Sequence, residues 1–374
     1  MSEVKTALIA GGGIAGMTAA IALRKAGVHV DVVEKYGRNP AIGVGIILPG
    51  NALRALEQLG LAEATIRAGY PFGGSCLHDA QGNHPRDIPE YRMAGEKLPP
   101  QLGITRTAYS VLLTDAAEAS GARISYHKHI TGFEQDEHGA EAHFSDGSHG
   151  RYDLVVAADG IHSTLRPRLF GDLGAPVYSG QSSWRYNLPR PEYVDKIMMY
   201  LGEDGKTGFV PLRHDLMYLF LTDRQTHQAP PREDALNVLR ARLAEFGGPV
   251  AYYRDTVIND PDQALWKPFE TVDLPSPWYR GRTIVIGDAA HATTAHLGQG
   301  GAMAVEDAVV LGEEIAKPGA LQAALERFMA RRFPRVSFIQ SASRQLCRWE
   351  IEHTAGADFV GLMGEANLKV REPI

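Results

Sequence analysis

Gly11, Gly13 and Gly16 stand in a G-x-G-x-x-G spacing, directly after an apolar run and directly before a helical pattern. The first glycine allows a tight turn, the second lets the backbone approach a pyrophosphate, and the third allows a helix to pack closely on a strand. Ile14 and Ala15 open that helix, whose first N–H groups suit an anion. Glu34 follows about 20 residues later, where a carboxylate accepts hydrogen bonds from a ribose. Its charge repels a 2′-phosphate, which favours FAD or NAD over NADP at this position. Lys35 and Val44 are the next candidate contacts. A glycine-rich turn alone can bind nothing. Here strand, glycines, helix, strand and acid occur in register, and the reading is a dinucleotide site.

These residues need a frame. Residues 4–10 read as a buried parallel strand, 14–26 as a helix stopped by Gly27, and 28–34 as the next strand. Together they form a βαβ unit. Residues 51–59 and 107–120 read as helices, 123–149 as a small antiparallel meander, and 153–158 as another buried strand. From about 173 to 272, Tyr, Trp, Phe and Met cluster in short runs. That shift predicts a second, mostly antiparallel sheet with one helix over 233–246. The Pro- and Gly-rich stretch 70–100 is expected to visit that sheet. Residues 283–287 read as a parallel strand, and helices fill most of 299–354.

The fold class is therefore α/β: a Rossmann-like nucleotide domain, an inserted antiparallel sheet domain and C-terminal helices. The expected division assigns 1–72, 101–172 and 273–320 to the nucleotide domain. Residues 73–100 and 173–272 form the sheet domain, and 321–374 the helical end.

Two further stretches carry a resemblance. Asp153-Leu154-Val155-Val156-Ala157-Ala158-Asp159-Gly160, with Ser163 and Arg166 beyond, resembles the "DG" motif of the single-component (class A) FAD-dependent aromatic hydroxylases. Gly287-Asp288-Ala289-Ala290-His291, followed by Gly298-Gln299-Gly300-Gly301 and Glu306-Asp307-Ala308, resembles their "GD" motif. The stretches Gly43–Asn51 and Arg331–Arg335 are similar to that family too, so the likeness runs from residue 1 to about 350. The chain is similar to the salicylate and 6-hydroxynicotinate hydroxylase-like enzymes, which implies the p-hydroxybenzoate hydroxylase fold.

The resemblance implies FAD, with Arg106, Asp159, Gly160, Asp288, Ala289, Gly298, Gly300 and Gly301 among its contacts. Asp288 would bond a ribityl hydroxyl, and the helix after Gly300 would face the flavin pyrimidine. It also implies NADH or NADPH as a transient co-substrate without a second Rossmann unit. The reaction implied is transfer of one oxygen from O2, through a flavin hydroperoxide, to a small aromatic or N-heteroaromatic ring. In one departure, Ala295 stands where most relatives carry Pro. An oxidase, a reductase, a halogenase-like enzyme and a non-catalytic flavin-binding module are the alternatives. Trp184–Pro189 is only a degenerate echo of the halogenase motif, and no redox Cys pair is evident.

The substrate is expected near 45–48, 184–187, 209–221 and 293–298. His296 is the best candidate for a polar group beside the ring. Arg185 fits a substrate carboxylate or an ion pair closing the domain interface. Tyr218 fits pocket or core, Tyr186 is a further pocket candidate, and His214 next to Asp215 suits a turn. The apolar wall Ile46, Ile47 and Leu48 also admits a bicyclic ring.

Composition bounds the rest. The chain has 374 residues, 44% hydrophobic, with a formal net charge of −6, which gives no basic surface for nucleic acid. The Arg-rich run 327–335 reads as a solvated helix face. Cys76 and Cys347 form no CxxC, which fits a reducing cytoplasm and gives no cysteine metal site. No apolar run approaches the ~18 residues of a membrane span. A homodimer is left open.

Overall fold

The computed structural model describes residues 3–38, 43–224 and 227–374. Its first sheet is built on Thr6–Ala10, where Ala7, Leu8 and Ile9 are completely buried. A continuous apolar run suits a strand covered on both faces. The order across the sheet is Tyr279–Arg280, Thr283–Val285, Leu154–Ala157, Thr6–Ala10, His29–Val33 and Arg123–Ser125. All neighbours run parallel except the Tyr279–Arg280 edge pair. Helix Ile14–Lys25 packs against helix Gly300–Ala316 so closely that a Cβ on Gly312 would lie 2.8 Å from the Ala22 Cβ.

A seven-stranded sheet forms the second layer, in the order Leu265–Thr271, Val177–Pro189, Leu216–Arg224, Gly205–Pro211, Ile197–Leu201, Ser75–Asp79 and Arg86–Ile88. It is antiparallel except where Ile197–Leu201 runs parallel to Ser75–Asp79. One face of it carries its own core of Trp184, Tyr186, Leu188, Phe209 and Leu219 beneath Leu239, Phe246 and Val250. A small sheet of Gly45–Pro49, Gln101–Thr105 and Tyr70–Phe72 bridges the two layers. Helix Leu321–Glu352 runs past both.

Two expectations need correction. Arg123–Ser125 does not belong to the meander; it pairs parallel with His29–Val33 and ends the first sheet. The antiparallel meander is Ile130–Gln135, Ala140–Phe144 and His149–Tyr152. The helix predicted over 233–246 is Ala235–Arg242 continued by a 3-10 turn, Leu243–Glu245, and a second helix that was not expected, Gly248–Thr256, follows it. Gly247-Gly248-Pro249 reads as a stop, but Pro in the first turn starts a helix because its missing N–H is not needed there.

Candidate active site

The three motifs meet at the C-terminal ends of adjacent parallel strands, the usual crevice of an open α/β sheet. Gly11 follows Thr6–Ala10, Asp159 follows Leu154–Ala157, and Gly287 follows Thr283–Val285. Their contacts explain the glycines. Gly11 has φ +107°, and a Cβ there would lie 2.4 Å from the Ala158 carbonyl oxygen. A Cβ on Gly16 would lie 1.9 Å from the Gly11 carbonyl oxygen, and one on Gly287 would lie 2.8 Å from the Ala15 Cβ. Gly13, Gly160 and Gly298 differ: nothing lies within 4 Å of where a Cβ would sit.

Helix Ile14–Lys25 begins at Gly13 with no side-chain cap, so its first N–H groups remain free for an anion. Glu34 accepts from the Gly12 N–H at 2.6 Å and from the Tyr36 N–H at 2.8 Å. The carboxylate is thus fixed beside the glycine turn with lone pairs to spare. Lys35 is exposed, its Nζ 5.8 Å from the centre of the Tyr36 ring.

Asp159 accepts from the Thr164 N–H at 2.7 Å through Oδ2, while its Oδ1 is buried with no hydrogen-bond partner. Asp288 is exposed at the start of the short helix Asp288–His291, and its Oδ1 lies 3.9 Å from the position of a Cβ on Gly300. Ala289 is buried, its carbonyl accepting from Arg166 Nη1 at 2.8 Å. A Cβ on Gly301 would lie 3.0 Å from Ile46 Cδ1 and 3.9 Å from Ile14 Cδ1. Helix Gly300–Ala316 also lacks a side-chain cap at Gln299. An open glycine cradle, two uncapped helix starts and an orphaned carboxylate oxygen fit a dinucleotide carrying hydroxyls and phosphates. The FAD expected from the motifs matches this donor set.

One buried network holds the third motif in place. Asp307 Oδ2 accepts from the Gly287 N–H at 3.0 Å and lies 2.6 Å from His291 Nε2. Its Oδ1 accepts from Arg332 Nε at 2.8 Å. Glu306 pairs with Arg332 at 2.7 Å and Arg335 at 3.0 Å, and accepts from Asn51 Nδ2 at 2.9 Å. Asn51 also binds Gln299, at 3.0 Å. Burial alone would favour neutral Asp307, but His291 and Arg332 outweigh it and hold the carboxyl below its usual range.

This corrects the reading of 327–335 as a solvated face. Arg332 and Arg335 are buried, and Arg327 and Arg331 both reach the buried Glu314. The sequence did carry a signal. Two adjacent acids inside an apolar helix demand buried counter-charges, and Arg332 and Arg335 sit three apart on one helix face.

The sheet face turned toward this crevice alternates from its buried core. Arg185 lies opposite Phe220, and Asn187 opposite Tyr218. Tyr218 packs with Val44, Phe72, Val210 and Leu212, and burial raises its phenol above the ordinary value despite nearby Arg185 and Arg106. Arg106 opens helix Arg106–Ala119 behind the Thr105 cap, its side chain pressed against Gly43. Burial works against the Arg106 cation, as does the like charge of Arg185, and Asp288 supports it. Arg185 makes no ion pair among the described residues; its Nε and the Asn187 Oδ1 are buried without hydrogen-bond partners.

His296 lies in the 3-10 turn Ala295–Leu297, nearly sealed, with Nε2 3.3 Å from Glu350 Oε2. Ala295 itself is exposed. Tyr186 belongs to the opposite face, where its hydroxyl accepts from the Asp260 N–H at 2.9 Å, so it is core and not pocket. Side chains alternate across a strand, and of residues 184–187 only Arg185 and Asn187 share the crevice side. His214 sits at an exposed turn. Sequence reasoning did not single out Asn187, Lys206 or Glu350.

Comparisons with known proteins agree with this geometry. Residues 3–339 match the family described as "FAD binding domain". The chain is 33% identical over 372 residues to a Bacillus subtilis protein assigned as an FAD-dependent monooxygenase, covering 99% of this chain and 100% of that one. It is 31% identical to 2-heptyl-3-hydroxy-4(1H)-quinolone synthase of Pseudomonas aeruginosa, covering 92% and 90%. The solved structure of Klebsiella pneumoniae HpxO complexed with FAD and uric acid superposes with a TM-score of 0.85 at 26% identity, covering 100% and 94%. The chain belongs to the class A FAD-dependent monooxygenases: it is a flavoprotein oxidoreductase.

Proposed function

We propose that this monooxygenase hydroxylates a small N-heteroaromatic or aromatic ring carrying an acidic O–H or N–H, with NADH or NADPH as the reductant. FAD, when bound, supplies the activation of dioxygen. The observation that carries the substrate reading is the pair Arg185 and Asn187. Both present buried polar atoms without partners on the crevice side of one strand. Buried polar atoms are rarely left unpaired, so a polar ligand edge completes them. Arg185 beside Arg106 further selects an anionic or strongly accepting edge. The quinolone and uric acid named for two similar proteins are rings of this kind.

The chain's residues divide the work. The glycine cradle, Glu34, Asp159 and Asp288 hold the cofactor. The seven-stranded sheet covers the substrate and excludes water. Val44, Ile47, Tyr218 and Phe220 supply an apolar wall for the ring. In this reading the parallel sheet with its helices is the FAD domain and the inserted sheet is the substrate domain, divided at the boundaries expected above. The test is NAD(P)H oxidation by FAD-loaded protein in air, with hydroxypyridines, quinolones, purines and hydroxybenzoates added singly. Stimulation with an oxygenated product supports the reading. Unstimulated oxidation with every compound counts against it.

A further inference from the structure

We propose that His296 takes the proton from the bound ring and that Glu350, held by Lys206, stabilises the imidazolium so formed. The proposal deepens the monooxygenase reading and rests on it. The turn that carries His296 is clamped on both sides. Thr294 Oγ1 lies 2.8 Å from Ser343 Oγ, and Ser343 Oγ donates to the Thr294 carbonyl at 2.9 Å. Gly298 then turns the chain at φ +64° into the glycines that open helix Gly300–Ala316. His296 is thus fixed between the cofactor segment and the sheet, with the Phe269 ring edge-on at 6.3 Å.

Its two nitrogens face different surroundings. Nε2 lies 3.3 Å from Glu350 Oε2, an ion-pair distance rather than an aligned hydrogen bond. Such pairs commonly tighten only around substrate. Nδ1 is buried with no partner at all. A base oriented by a carboxylate on one side and free on the other is the arrangement of a His–acid pair.

Glu350 is a hub. Its Oε2 accepts from the Lys206 ammonium, and its Oε1 accepts from Gln181 Nε2 at 2.9 Å. Gln181 Oε1 in turn accepts from the Cys347 thiol at 3.4 Å. Glu350 and Lys206 are 20% and 21% exposed against 4% for His296, so the sealed imidazole borders a carboxylate that an ammonium and water keep charged.

The groups facing His296 are Glu350 from helix Leu321–Glu352 and Lys206 from the sheet, with Cys347 beyond. Burial lowers the His296 pKa, the Lys206 charge adds to that, and Glu350 opposes it. On balance the surroundings favour the neutral imidazole, the form able to accept. Burial alone would raise Glu350, but His296 and Lys206 bring it to about 2. Burial raises the Cys347 thiol to about 11, so it stays a bystander.

In the step itself, the substrate O–H or N–H bond breaks and its proton moves to Nδ1. The electron pair stays on the substrate atom and enriches the ring. The imidazolium is stabilised by Glu350, and after the product leaves Nδ1 gives its proton to water, which restores the neutral base with its Nε2 proton still toward Glu350.

The experiment uses the FAD-loaded enzyme with the ring that gives product. His296→Gln is expected to lower kcat by about a hundredfold while FAD content is retained. In the parent, kcat falls as His296 protonates on the acid side. Glu350→Gln removes the stabilising anion and moves that limb to lower pH. Lys206→Met removes the opposing cation and moves it to higher pH. The His296 imidazole signal, followed by NMR without turnover, should titrate with the same opposite shifts. A productive parent with an equally fast His296→Gln variant overturns the assignment of His296 alone. So do limbs and titrations that stay put or move together. A parent that makes no oxygenated product from any ring overturns the monooxygenase reading, and the assignment of His296 with it.

Discussion

Two groups of buried polar side chains serve this crevice, and they are built in opposite ways. Behind the cofactor segment, Glu306 and Asp307 meet Arg332 and Arg335, each acid facing a guanidinium at 3.0 Å or closer. On the sheet side, Arg185 Nε, Asn187 Oδ1 and both His296 ring nitrogens are buried with no hydrogen-bond partner. A set in which each charge meets a counter-charge fixes geometry and carries its desolvation cost internally, although Arg335 Nε and His291 Nδ1 make no hydrogen bond among the described residues. An open set is costly until something fills it. Scaffold and recognition are thus separable, and variants of Arg332 and Arg185 each break one side.

The largest effect belongs to the closed set. Arg332→Ala leaves Glu306 and Asp307 buried beside a missing cation, which costs about 3–5 kcal/mol. Urea denaturation should show that loss together with reduced FAD content, because the Gly287 N–H depends on Asp307. Wild-type-like stability in this variant would mean that the network is not structural.

Glu314 extends the same logic to pH. Burial disfavours its charge, yet Lys317, Arg327 and Arg331 together lower it to about 2. A folded-state value below the unfolded one stabilises the protein fully above about pH 4.5 and loses that contribution as pH falls toward 2. Replacing Glu314 by Gln should remove up to about 3 kcal/mol at pH 7 and little at pH 2. Equal losses at both pH values would contradict the ion pairing.

Asp288→Ala should weaken FAD about ten- to hundredfold, the worth of a hydrogen bond to a charged group, with the fold intact by circular dichroism. Flavin fluorescence titration reads this directly, and full retention of FAD and activity would remove Asp288 from the site. Arg185→Ala should raise KM about tenfold and leave FAD content unchanged. Unchanged kinetics would return Arg185 to a structural role. The smallest effect lies outside both groups: Asp358 caps helix Phe359–Arg371 at the Gly361 N–H. Its replacement by Ala costs about 1 kcal/mol with no change in FAD or KM.

The cofactor half of the molecule was legible because its reasons are local. Each glycine of the first motif answers to a neighbour or an open cradle within its own βαβ unit or the next strand end. Strands Thr6–Ala10, His29–Val33, Leu154–Ala157 and Thr283–Val285 followed from apolar runs and turn residues in the same way, whereas Arg123–Ser125 was placed in the wrong sheet. The arginine run was misread because helical spacing gives a face but not what covers it. Glu306 and Asp307, 26 and 25 residues away from Arg332, supply the cover. The substrate side was hardest to read. Glu350 meets Lys206 across 144 residues and Gln181 across 169. No periodicity in either segment announces such a meeting. Arg185 stood out as a lone charge in a strand, whereas Asn187 carries a signal only once its buried oxygen is seen to lack a partner.

The most direct measurement is turnover under oxygen-18 gas with NAD(P)H and the ring that best stimulates oxidation, followed by mass spectrometry of the product. The account predicts a product heavier by one labelled oxygen atom, with the second atom of O2 reduced to water. A product without label, or hydrogen peroxide alone with every ring tried, would contradict monooxygenation at this site.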